Sequence, residues 1–512
     1  MKKHFNIILF LLGIISLGSC KNLLEEEPLS FVSPASFYKN EGQCIAALNG
    51  CYSPLNSIYT AGLMLGTEGA TDLILNMNTG SADTRFDLSP ATPGMGRSLW
   101  VNCYKGVMVC NSAIEGIRNS PIAEDRKPAL IAEAVTLRAL YYYVLTSTFG
   151  DVPFYLDDVA NLSTLEKINE LGRMSAVATR DSLIKNLTEY AGALPQKRTF
   201  DVVDNRVSGP MAYVLIAKMA MWNKDFETAL TALNKVKAIY GPLSQYNLTD
   251  TYFRNKNTPE SIFEVQFTWS ATGLKKTSTV AAYFTPSKSS GTSTYGGINI
   301  PELGAAANPY TSVMPSEYFM SLYNVFDPRR NIILAYSYNG TPFARPMSNN
   351  GTGKPWMGPK FWSPGMDNAS DGNNQKVFRY ADVLLMIAEC ANEIPGNENL
   401  ALASINEVKQ RAQDEAAKEG NAITLTLASY PGKDEFFREV REERGRELAG
   451  EYQRKWDLVR WGRFYDDVRS TIALEFSDIL ANLRPYHEYY PIADSEILRS
   501  DGKLHNDAYT GY

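Results

Sequence analysis

Apolar residues recur three or four positions apart along most of this chain, the spacing that puts them on one face of an α-helix. In residues 36–60, Cys44, Leu48 and Cys51 share such a face, and Ser36 can cap the start of the helix. The same period predicts further helices over 98–118, 125–147, 172–191, 210–222, 226–240, 379–393, 401–412 and 436–464. The pattern therefore predicts a mostly α fold.

Short turns join some of these helices into pairs. Asn223–Asp225 joins the helices 210–222 and 226–240, and a Pro-Gly turn joins 379–393 to 401–412. Such pairs resemble tetratricopeptide units, which stack side by side. A single pair fits an ordinary helical hairpin equally well, but recurrence favours a scaffold of tetratricopeptide-like helix pairs. Further pairs are predicted at 98–147 and around 172–191.

Residues 255–377 differ in composition, because Gly, Ser, Thr, Asn and Pro dominate, with strand-like runs such as Ser261–Phe267. A stretch of this length without regular structure is usually functional or disordered. Aromatic residues recur along it, which favours ordered loops; they are Trp269, Tyr283, Tyr295, Trp356 and Trp362. We therefore expect a loop-rich, partly β insert that forms the ligand-binding region.

The first 19 residues predict a signal peptide. Lys2 and Lys3 precede a nearly apolar run, Phe5–Leu17, which is shorter than the roughly 20 residues that span a bilayer. Leu17-Gly18-Ser19-Cys20 resembles the lipobox of bacterial lipoproteins, in which the cysteine is acylated. An ordinary secretory signal with a chance cysteine is the alternative. We predict a signal peptide at 1–19, lipidation of Cys20, a tether at 20–35 and a single body at 36–512.

The residues that follow Cys20 bear on the location of the protein. Residues 21–27 include three consecutive glutamates, and this acidic run resembles the surface-export tag of some Gram-negative lipoproteins; a solvated tether is the alternative. Stable anchoring takes more than one acyl chain, and the resemblance to lipoproteins implies several on this cysteine. We expect a lipid-anchored protein of the outer membrane, exposed at the cell surface.

Composition limits the classes of function. The chain is 44% apolar and 21% charged, as in ordinary globular proteins, and no other apolar stretch has the length that a bilayer-spanning helix requires. The formal net charge is −6, which becomes −8 when Lys2 and Lys3 leave with the signal peptide. An acidic body argues against nucleic acid as a partner, since nucleic acids bind to basic surfaces.

Five cysteines follow Cys20, and no CxxC motif occurs among them, so neither a zinc site nor a redox motif is indicated. Cys44 and Cys51 are seven residues apart, as are Cys103 and Cys110. That spacing is about 10.5 Å along a helix, which is too far for a disulfide. We expect buried free thiols.

The sequence lacks the common catalytic motifs. After removal of the signal peptide only two histidines remain, His487 and His505, and there is no GxSxG, HExxH, P-loop or GxGxxG motif. No cofactor or metal site is indicated, and we predict a protein without enzymatic activity. The 56 acidic residues leave a carboxylate pair for glycoside cleavage open, so a secreted glycan hydrolase stays as an alternative.

The segment Arg438–Leu448 and the residues after it are dense in charge. Opposite charges three or four residues apart stabilise a helix surface by about 0.2–0.5 kcal/mol per pair. We therefore predict surface ion pairs here and no catalytic cluster. The pairs are Arg444–Glu447, Glu443–Arg446, Glu451–Lys455 and Arg454–Asp457.

Several segments together resemble the SusD/RagB family of outer-membrane nutrient-binding lipoproteins. They are Val440–Gly462, Arg379–Glu393, Ala132–Tyr143 with Phe149–Pro153, and Tyr489–Ile497. The closing run Asn506–Tyr512 is looser than the family's Asn-Pro-Gly-Tyr-like ending, and residues 255–377 carry no matching motif. The resemblance implies a protein that captures oligosaccharides, or peptides in some branches, for a SusC-like TonB-dependent transporter and does not turn them over.

The resemblance also implies candidate ligand-binding residues. In the starch-binding branch a Trp at the start of the third helix-forming segment lies in the site, and Trp100 has the like position here, with Arg85 before it. Aromatic residues of the insert complete the set; they are Trp269, Tyr283 and Tyr295. Burial in the core is the alternative for each aromatic side chain. An oligosaccharide is the expected ligand, and a peptide is the alternative.

Overall fold

The computed structural model of the chain describes residues 37–78, 80–270, 272–273, 275–347, 353–418 and 428–509. The predicted signal peptide 1–19, Cys20, the tether 20–35 and the predicted cap Ser36 lie outside the described residues.

Helices dominate the described residues. In chain order they are α1 (Glu41–Tyr52), α2 (Leu55–Ile58), α3 (Ala61–Thr67), α4 (Ala82–Arg85), α5 (Gly96–Arg118), α6 (Lys127–Phe149), α7 (Leu162–Asn169), α8 (Ala176–Tyr190), α9 (Gly209–Trp222), α10 (Phe226–Tyr240), α11 (Val280–Phe284), α12 (Glu317–Ser321), α13 (Pro328–Ile333), α14 (Tyr380–Glu393), α15 (Glu398–Lys418), α16 (Lys433–Leu448), α17 (Arg454–Arg460), α18 (Phe464–Glu475) and α19 (Asp494–Arg499).

The strands are short and pair two by two. They are β1 (Ile74–Asn76), β2 (Ser261–Val265), β3 (Thr294–Tyr295), β4 (Ile298–Asn299), β5 (Val313–Pro315), β6 (Leu334–Ala335), β7 (Ser337–Tyr338), β8 (Thr341–Pro342), β9 (Trp356–Met357) and β10 (Gln375–Arg379). All the pairs are antiparallel: β1 with β5, β2 with β10, β3 with β4, β6 with β9, and β7 with β8.

The long helices pack in a continuous series. α1 packs on α5 and α6, α5 on α6, α6 on α8, α8 on α9, α9 on α10, α10 on α14, and α14 on α15 and α16. The predicted pairs 210–222/226–240 and 379–393/401–412 are α9–α10 and α14–α15. Asp225 fixes the first turn, because its Oδ1 accepts the backbone N–H of Thr228 at 3.1 Å and caps α10. The predicted α-rich scaffold of tetratricopeptide-like pairs is confirmed.

The central helix of this scaffold is α6. It is long and apolar enough to cross a membrane by length and composition, which corrects the expectation that no second stretch has these properties. Every residue from Ile131 to Phe149 is buried in the protein. A helix that is apolar on all sides needs cover on all sides, and α1, α5, α8 and α9 provide it.

Two helix predictions need correction. The helix expected over 36–60 is α1 followed by the short α2, and its cap is Asn40, whose Oδ1 accepts the N–H of Gln43 at 3.0 Å. The helix expected over 436–464 is broken into α16, α17 and the start of α18. Gly450 makes the first break with a φ of 78°, and a Cβ there would lie 2.3 Å from the ring of Phe361.

The loop-rich insert is closed at its base by β2 and β10, in which Ser261 pairs with Arg379 and Val265 with Gln375. The strand predicted at 261–267 is therefore present over Ser261–Val265. A second hydrophobic core lies inside the insert and includes Trp356 and Trp362, whose side chains are buried. Apolar burial of this kind explains why the described part of the insert is ordered despite its composition.

The five described cysteines are buried and free, as predicted. Cys44 and Cys51 lie on α1, and Cys103 and Cys110 lie on α5, which packs against it.

Candidate ligand-binding surface

The insert presents one exposed aromatic pair, formed by Tyr283 of α11 and Tyr310. Their ring centroids are 5.0 Å apart and the planes meet at 70°, the edge-to-face arrangement that aromatic pairs prefer. Tyr283 is half-buried, whereas Tyr310 is 54% exposed. Because Tyr283 packs against one side of the Tyr310 ring, the solvent-facing side of that ring stays available to a ligand.

Backbone hydrogen bonds hold this pair in place. The carbonyl of Ala282 accepts the N–H groups of both Tyr310 and Thr311, at 2.9 and 3.0 Å. Thr311 has a φ of 51°, an unusual conformation for a β-branched residue, and its Oγ1 donates to the carbonyl of Thr285 at 3.0 Å. Such strain persists only where the surroundings fix it, and it clusters at ligand sites. These bonds fix the backbone that carries the ring of Tyr310.

A polar turn lies beside the aromatic pair. The N–H of Met77 donates to the carbonyl of Ser312 at 2.7 Å, which brings the turn after β1 against the segment that follows Tyr310. In this turn Asn76 Oδ1 accepts the N–H of Asn78 at 3.1 Å, and Asn78 Oδ1 accepts the N–H of Gly80 at 2.9 Å. Asn78 is exposed. We call Tyr283, Tyr310 and residues 76–78 the aromatic platform.

The other predicted ligand residues are scattered. Arg85 ends α4, is partly exposed, and its Nη2 makes an ion pair with Asp478 at 3.0 Å. Trp269 is half-buried beyond the end of β2, where its backbone lies against Gly372. Among the described residues, no hydrogen bond, ion pair or ring contact joins Arg85, Trp269 and Tyr283 to one another. Of the predicted set, Tyr283 belongs to the platform.

Two predicted ligand residues belong to the core, which corrects the sequence interpretation. Trp100 is only 6% exposed, because it packs against Tyr104 and Phe149 at centroid distances of 4.9 and 5.1 Å. Tyr295 is fully buried, and its hydroxyl donates to the carbonyl of Gly304 at 2.6 Å. Neither ring has a face open to a ligand.

Tyr310 was missed at the sequence level, although a signal is present. It stands in Asn308-Pro309-Tyr310-Thr311, directly between turn-forming and polar residues. An aromatic residue in such a run is expected on a loop, and loops lie at the surface.

The prediction of surface ion pairs at 443–457 is wrong, because the charged residues of the four predicted pairs are buried and most of them pair with distant segments. Glu447 contacts Arg379, Arg329 and Arg411, and Glu451 contacts Arg379 and Lys360. Arg444 pairs with Asp382 and Asp457, and Arg454 with Asp72. Of the four predicted pairs only Glu443–Arg446 forms, at 2.6 Å.

Burial sets the electrostatics of these groups. Burial alone would raise the pKa of Glu443, but Arg329 and Arg446 lower it to about 2. Lys455 lies 4.8 and 4.3 Å from the ring centroids of Phe464 and Tyr490, and burial lowers its pKa to about 7. Glu443 and Lys455 therefore belong to the interior of the protein.

The platform has the chemistry to bind a sugar. An exposed tyrosine ring stacks on the apolar C–H face of a pyranose, while amide and hydroxyl groups exchange hydrogen bonds with its hydroxyls. Burial raises the pKa of Tyr283, so its hydroxyl is a neutral donor and acceptor at physiological pH. Among the described residues no group of His, Cys, Asp and Glu is arranged to hold a metal ion.

Comparison with known proteins agrees with this architecture. One family model, described as the SusD family, matches residues 334–509, and another, described as starch-binding associating with outer membrane, matches residues 81–221. A SusD-like protein of Formosa agariphila is 28% identical, with 98% of each chain covered.

Solved structures share the fold. A surface glycan-binding protein of Bacteroides uniformis aligns with a TM-score of 0.71 at 22% identity, covering 92% of this chain and 100% of that one. A surface glycan-binding protein of Bacteroides thetaiotaomicron in complex with laminarihexaose aligns with a TM-score of 0.68 at 20% identity, covering 92% and 100%. The two family models and the full-length relatives identify this chain as a member of the SusD/RagB family.

Proposed function

We propose that this protein is a non-catalytic, cell-surface lipoprotein that binds oligosaccharides and passes them to a SusC-like TonB-dependent transporter of the outer membrane. In this proposal residues 1–19 are the signal peptide, Cys20 carries the lipid, 20–35 form a tether and 36–512 form one ligand-binding body. Family membership supports the class of function, and the aromatic platform is the observation that supports a sugar as the ligand.

The platform suits a glycan better than a charged or extended ligand. Tyr310 offers a flat, exposed ring, and the neighbouring donors and acceptors are neutral amides and hydroxyls. In the Bacteroides thetaiotaomicron relative the bound ligand is laminarihexaose. A neutral β-glucan hexasaccharide is therefore the first ligand to test here. Arg85 and Trp269 remain proposed contacts outside the platform.

Calorimetric titration of the purified protein with laminarihexaose, other neutral oligosaccharides and unrelated peptides tests the proposal. We expect binding to at least one glycan, and Tyr310→Ala to weaken it about five- to tenfold, as loss of one aromatic contact of ~1–1.4 kcal/mol predicts.

Tyr318→Ala is the matched control, because Tyr318 is an exposed tyrosine of the same segment, 39% accessible, and lies in a different cleft. Binding of peptides with no binding of glycans overturns the ligand assignment. New reducing ends in the incubated glycan overturn the non-catalytic assignment. An equal loss of glycan affinity in Tyr310→Ala and Tyr318→Ala contradicts the aromatic platform as the binding site.

Two further experiments address the anchor and the partner. Cys20→Ser is expected to release the protein from the membrane fraction, and wild-type protein is expected to co-purify with a TonB-dependent transporter. Retention of Cys20→Ser in the membrane fraction contradicts the lipid anchor, and purification of the wild type without a transporter contradicts the partner. Neither result bears on the ligand.

A further inference from the structure

A cavity of about 550 Å³ lies in the helical scaffold, away from the insert. It is lined by α5, α6, α7 and α8 and by residues 156–160, and its volume is in the range of about 300–1,000 Å³ that small-molecule sites occupy. Polar side chains form much of its wall, among them Asn111, Asn186 and Tyr190. The proposed function makes no use of this cavity.

The deepest charge on the cavity wall is Arg138 of α6, which is only 4% exposed. Its Nη1 donates to Asn111 Oδ1 at 2.7 Å and its Nη2 to Asn186 Oδ1 at 2.8 Å. Its Nε is buried and has no hydrogen-bond partner, and among the described residues this guanidinium makes no ion pair. Neutral amides orient the group and leave its charge uncompensated.

An uncompensated buried cation favours an anion beside it. Arg138 stays charged despite burial, since a guanidinium does not lose its proton in proteins. The attraction of a carboxylate to it is stronger in the buried cavity than at the surface, because the local dielectric constant is lower. A carboxylate also matches the planar fork of an arginine.

The other charges of the cavity stand at its exposed rim. Glu115 is 43% exposed and pairs with Arg118 at 2.6 Å, so these two cancel. Asp157 is exposed, and Asp158 is partly exposed beside Glu115, with its pKa raised by burial. Lys167 of α7 is exposed, lines the mouth and makes no ion pair among the described residues. Solvent and salt screen these exposed charges, so Arg138 dominates the electrostatic potential inside the cavity.

The helix α7 forms one wall of the mouth and makes little contact with the core. None of its residues is buried, whereas Thr164 and Lys167 line the cavity. Its fold depends on the Asn161 cap, whose Oδ1 accepts the N–H of Thr164 at 3.0 Å. A substitution on its cavity side therefore changes the site with little effect on the stability of the scaffold.

We propose that this cavity binds a small, hydroxylated ligand that carries a carboxylate, an acidic monosaccharide by its chemistry, with the carboxylate against Arg138. Lys167 attracts the same charge at the mouth, and Asn186 and Tyr190 are the hydrogen-bonding partners for hydroxyls. The site is separate from the aromatic platform, and it does not depend on the function proposed for that platform.

Calorimetric titration of the purified protein with glucuronate, and with glucose as the neutral counterpart, tests this inference. We expect one glucuronate per chain and at least tenfold weaker binding of glucose. Lys167→Glu is expected to weaken glucuronate binding about threefold, since a reversed charge at the exposed mouth repels the carboxylate through screening solvent. Lys105→Glu is the matched control, because Lys105 is an exposed lysine of α5 that does not line the cavity.

Further variants separate the possible outcomes. Arg138→Met is expected to abolish glucuronate binding, and circular dichroism establishes whether this variant folds. If Arg138→Met does not fold, Lys167→Glu alone tests the inference. Tyr310→Ala is expected to bind glucuronate as the wild type does. Absence of wild-type binding, equal binding of glucose, equal effects of Lys167→Glu and Lys105→Glu, or loss of binding in Tyr310→Ala each overturns the inference.

Discussion

Tyr295 and Tyr310 stand fifteen residues apart in the same insert, but only Tyr310 presents its ring to solvent. Tyr295 lies on a strand whose neighbours Ile298 and Ile300 are buried in the second core, and a carbonyl satisfies its hydroxyl. Tyr310 packs edge-to-face against Tyr283 and is 54% exposed. At the scale of a residue, the packing partners of an aromatic side chain decide whether that side chain stabilises the core or can bind a ligand.

His487 is a second case in which surroundings set the chemistry of a residue. It is buried, stacks on Phe86 at 5.6 Å, and its Nδ1 accepts the N–H of Arg484 at 3.1 Å. Burial, followed by the charges of Lys455 and Arg484, lowers its pKa to about 3. The folded protein therefore keeps this imidazole neutral down to acidic pH.

The buried, neutral His487 is expected to make the folded protein less stable in mild acid than at neutral pH. Below pH 6.5 the unfolded chain takes up a proton that the folded chain excludes until about pH 3, so the free energy of unfolding falls with falling pH through this window. His487→Asn lacks this titration and keeps an acceptor near the Nδ1 position. Between pH 7 and pH 5, wild type is expected to lose about 2 kcal/mol relative to the variant.

Urea unfolding of both proteins at the two pH values measures this difference. A difference between wild type and variant that is the same at pH 7 and pH 5 contradicts the assignment of a neutral, buried His487.

At the scale of an element, α17 is held at its start by a side chain from a distant helix. Glu68, which follows α3, accepts the backbone N–H groups of Gly450, Gln453 and Arg454 at 3.0, 2.7 and 3.1 Å. Gln453 and Arg454 stand at the start of α17, where backbone N–H groups have no intrahelical partners. The break between α16 and α17 is therefore stabilised from outside the segment.

Removal of this cap is expected to destabilise the protein. Glu68→Ala leaves three buried N–H groups without an acceptor and is expected to lower the free energy of unfolding by about 2 kcal/mol or more. Glu68→Gln, which keeps one acceptor oxygen, is the matched control and is expected to retain part of that stability. Denaturant unfolding measures both; equal losses in the two variants rule out a capping role.

At the scale of the whole molecule, buried ion pairs join the insert to the scaffold. Arg379, at the end of β10, contacts Glu447 of α16, Glu451 and Glu260 at 2.7, 2.8 and 2.9 Å. All four side chains are buried. In a low dielectric, each charge depends on its partners, because an unpaired buried ion costs several kcal/mol.

Substitution of Arg379 is thus expected to lower the free energy of unfolding strongly. Arg379→Met leaves three buried carboxylates with too few cations and is expected to cost about 3–5 kcal/mol. Arg499→Met is the matched control, since Arg499 is 70% exposed and pairs with Glu496 only three residues away; its expected cost is below about 1 kcal/mol. Similar midpoints of denaturant unfolding for the two variants contradict a stabilising role for the buried ion pairs.

Local patterns were sufficient for much of the scaffold. The apolar faces of 210–222 and 226–240 predict α9 and α10 because a helix buries residues three and four apart whatever its partner is. Helical spacing also predicted surface ion pairs at 443–457. That prediction failed because the spacing of charges along a helix is the same whether the helix faces water or another segment. The partners of these charges, Asp72, Arg329 and Arg379, are far away in sequence, and no local pattern predicts such contacts.

The sequence by itself determined the helices, the composition of the insert, the free thiols and the family resemblance, because these depend on residues close together along the chain. Only the tertiary structure decided which aromatic side chains face solvent, where the helix at 449–453 breaks and which charges are buried. Trp100 and Tyr295 became core residues and Tyr310 a surface ring because burial depends on segments that meet only after folding. Of the predicted ligand residues, Tyr283 stays partly exposed and remains a proposed contact, whereas Trp100 and Tyr295 are buried in the core.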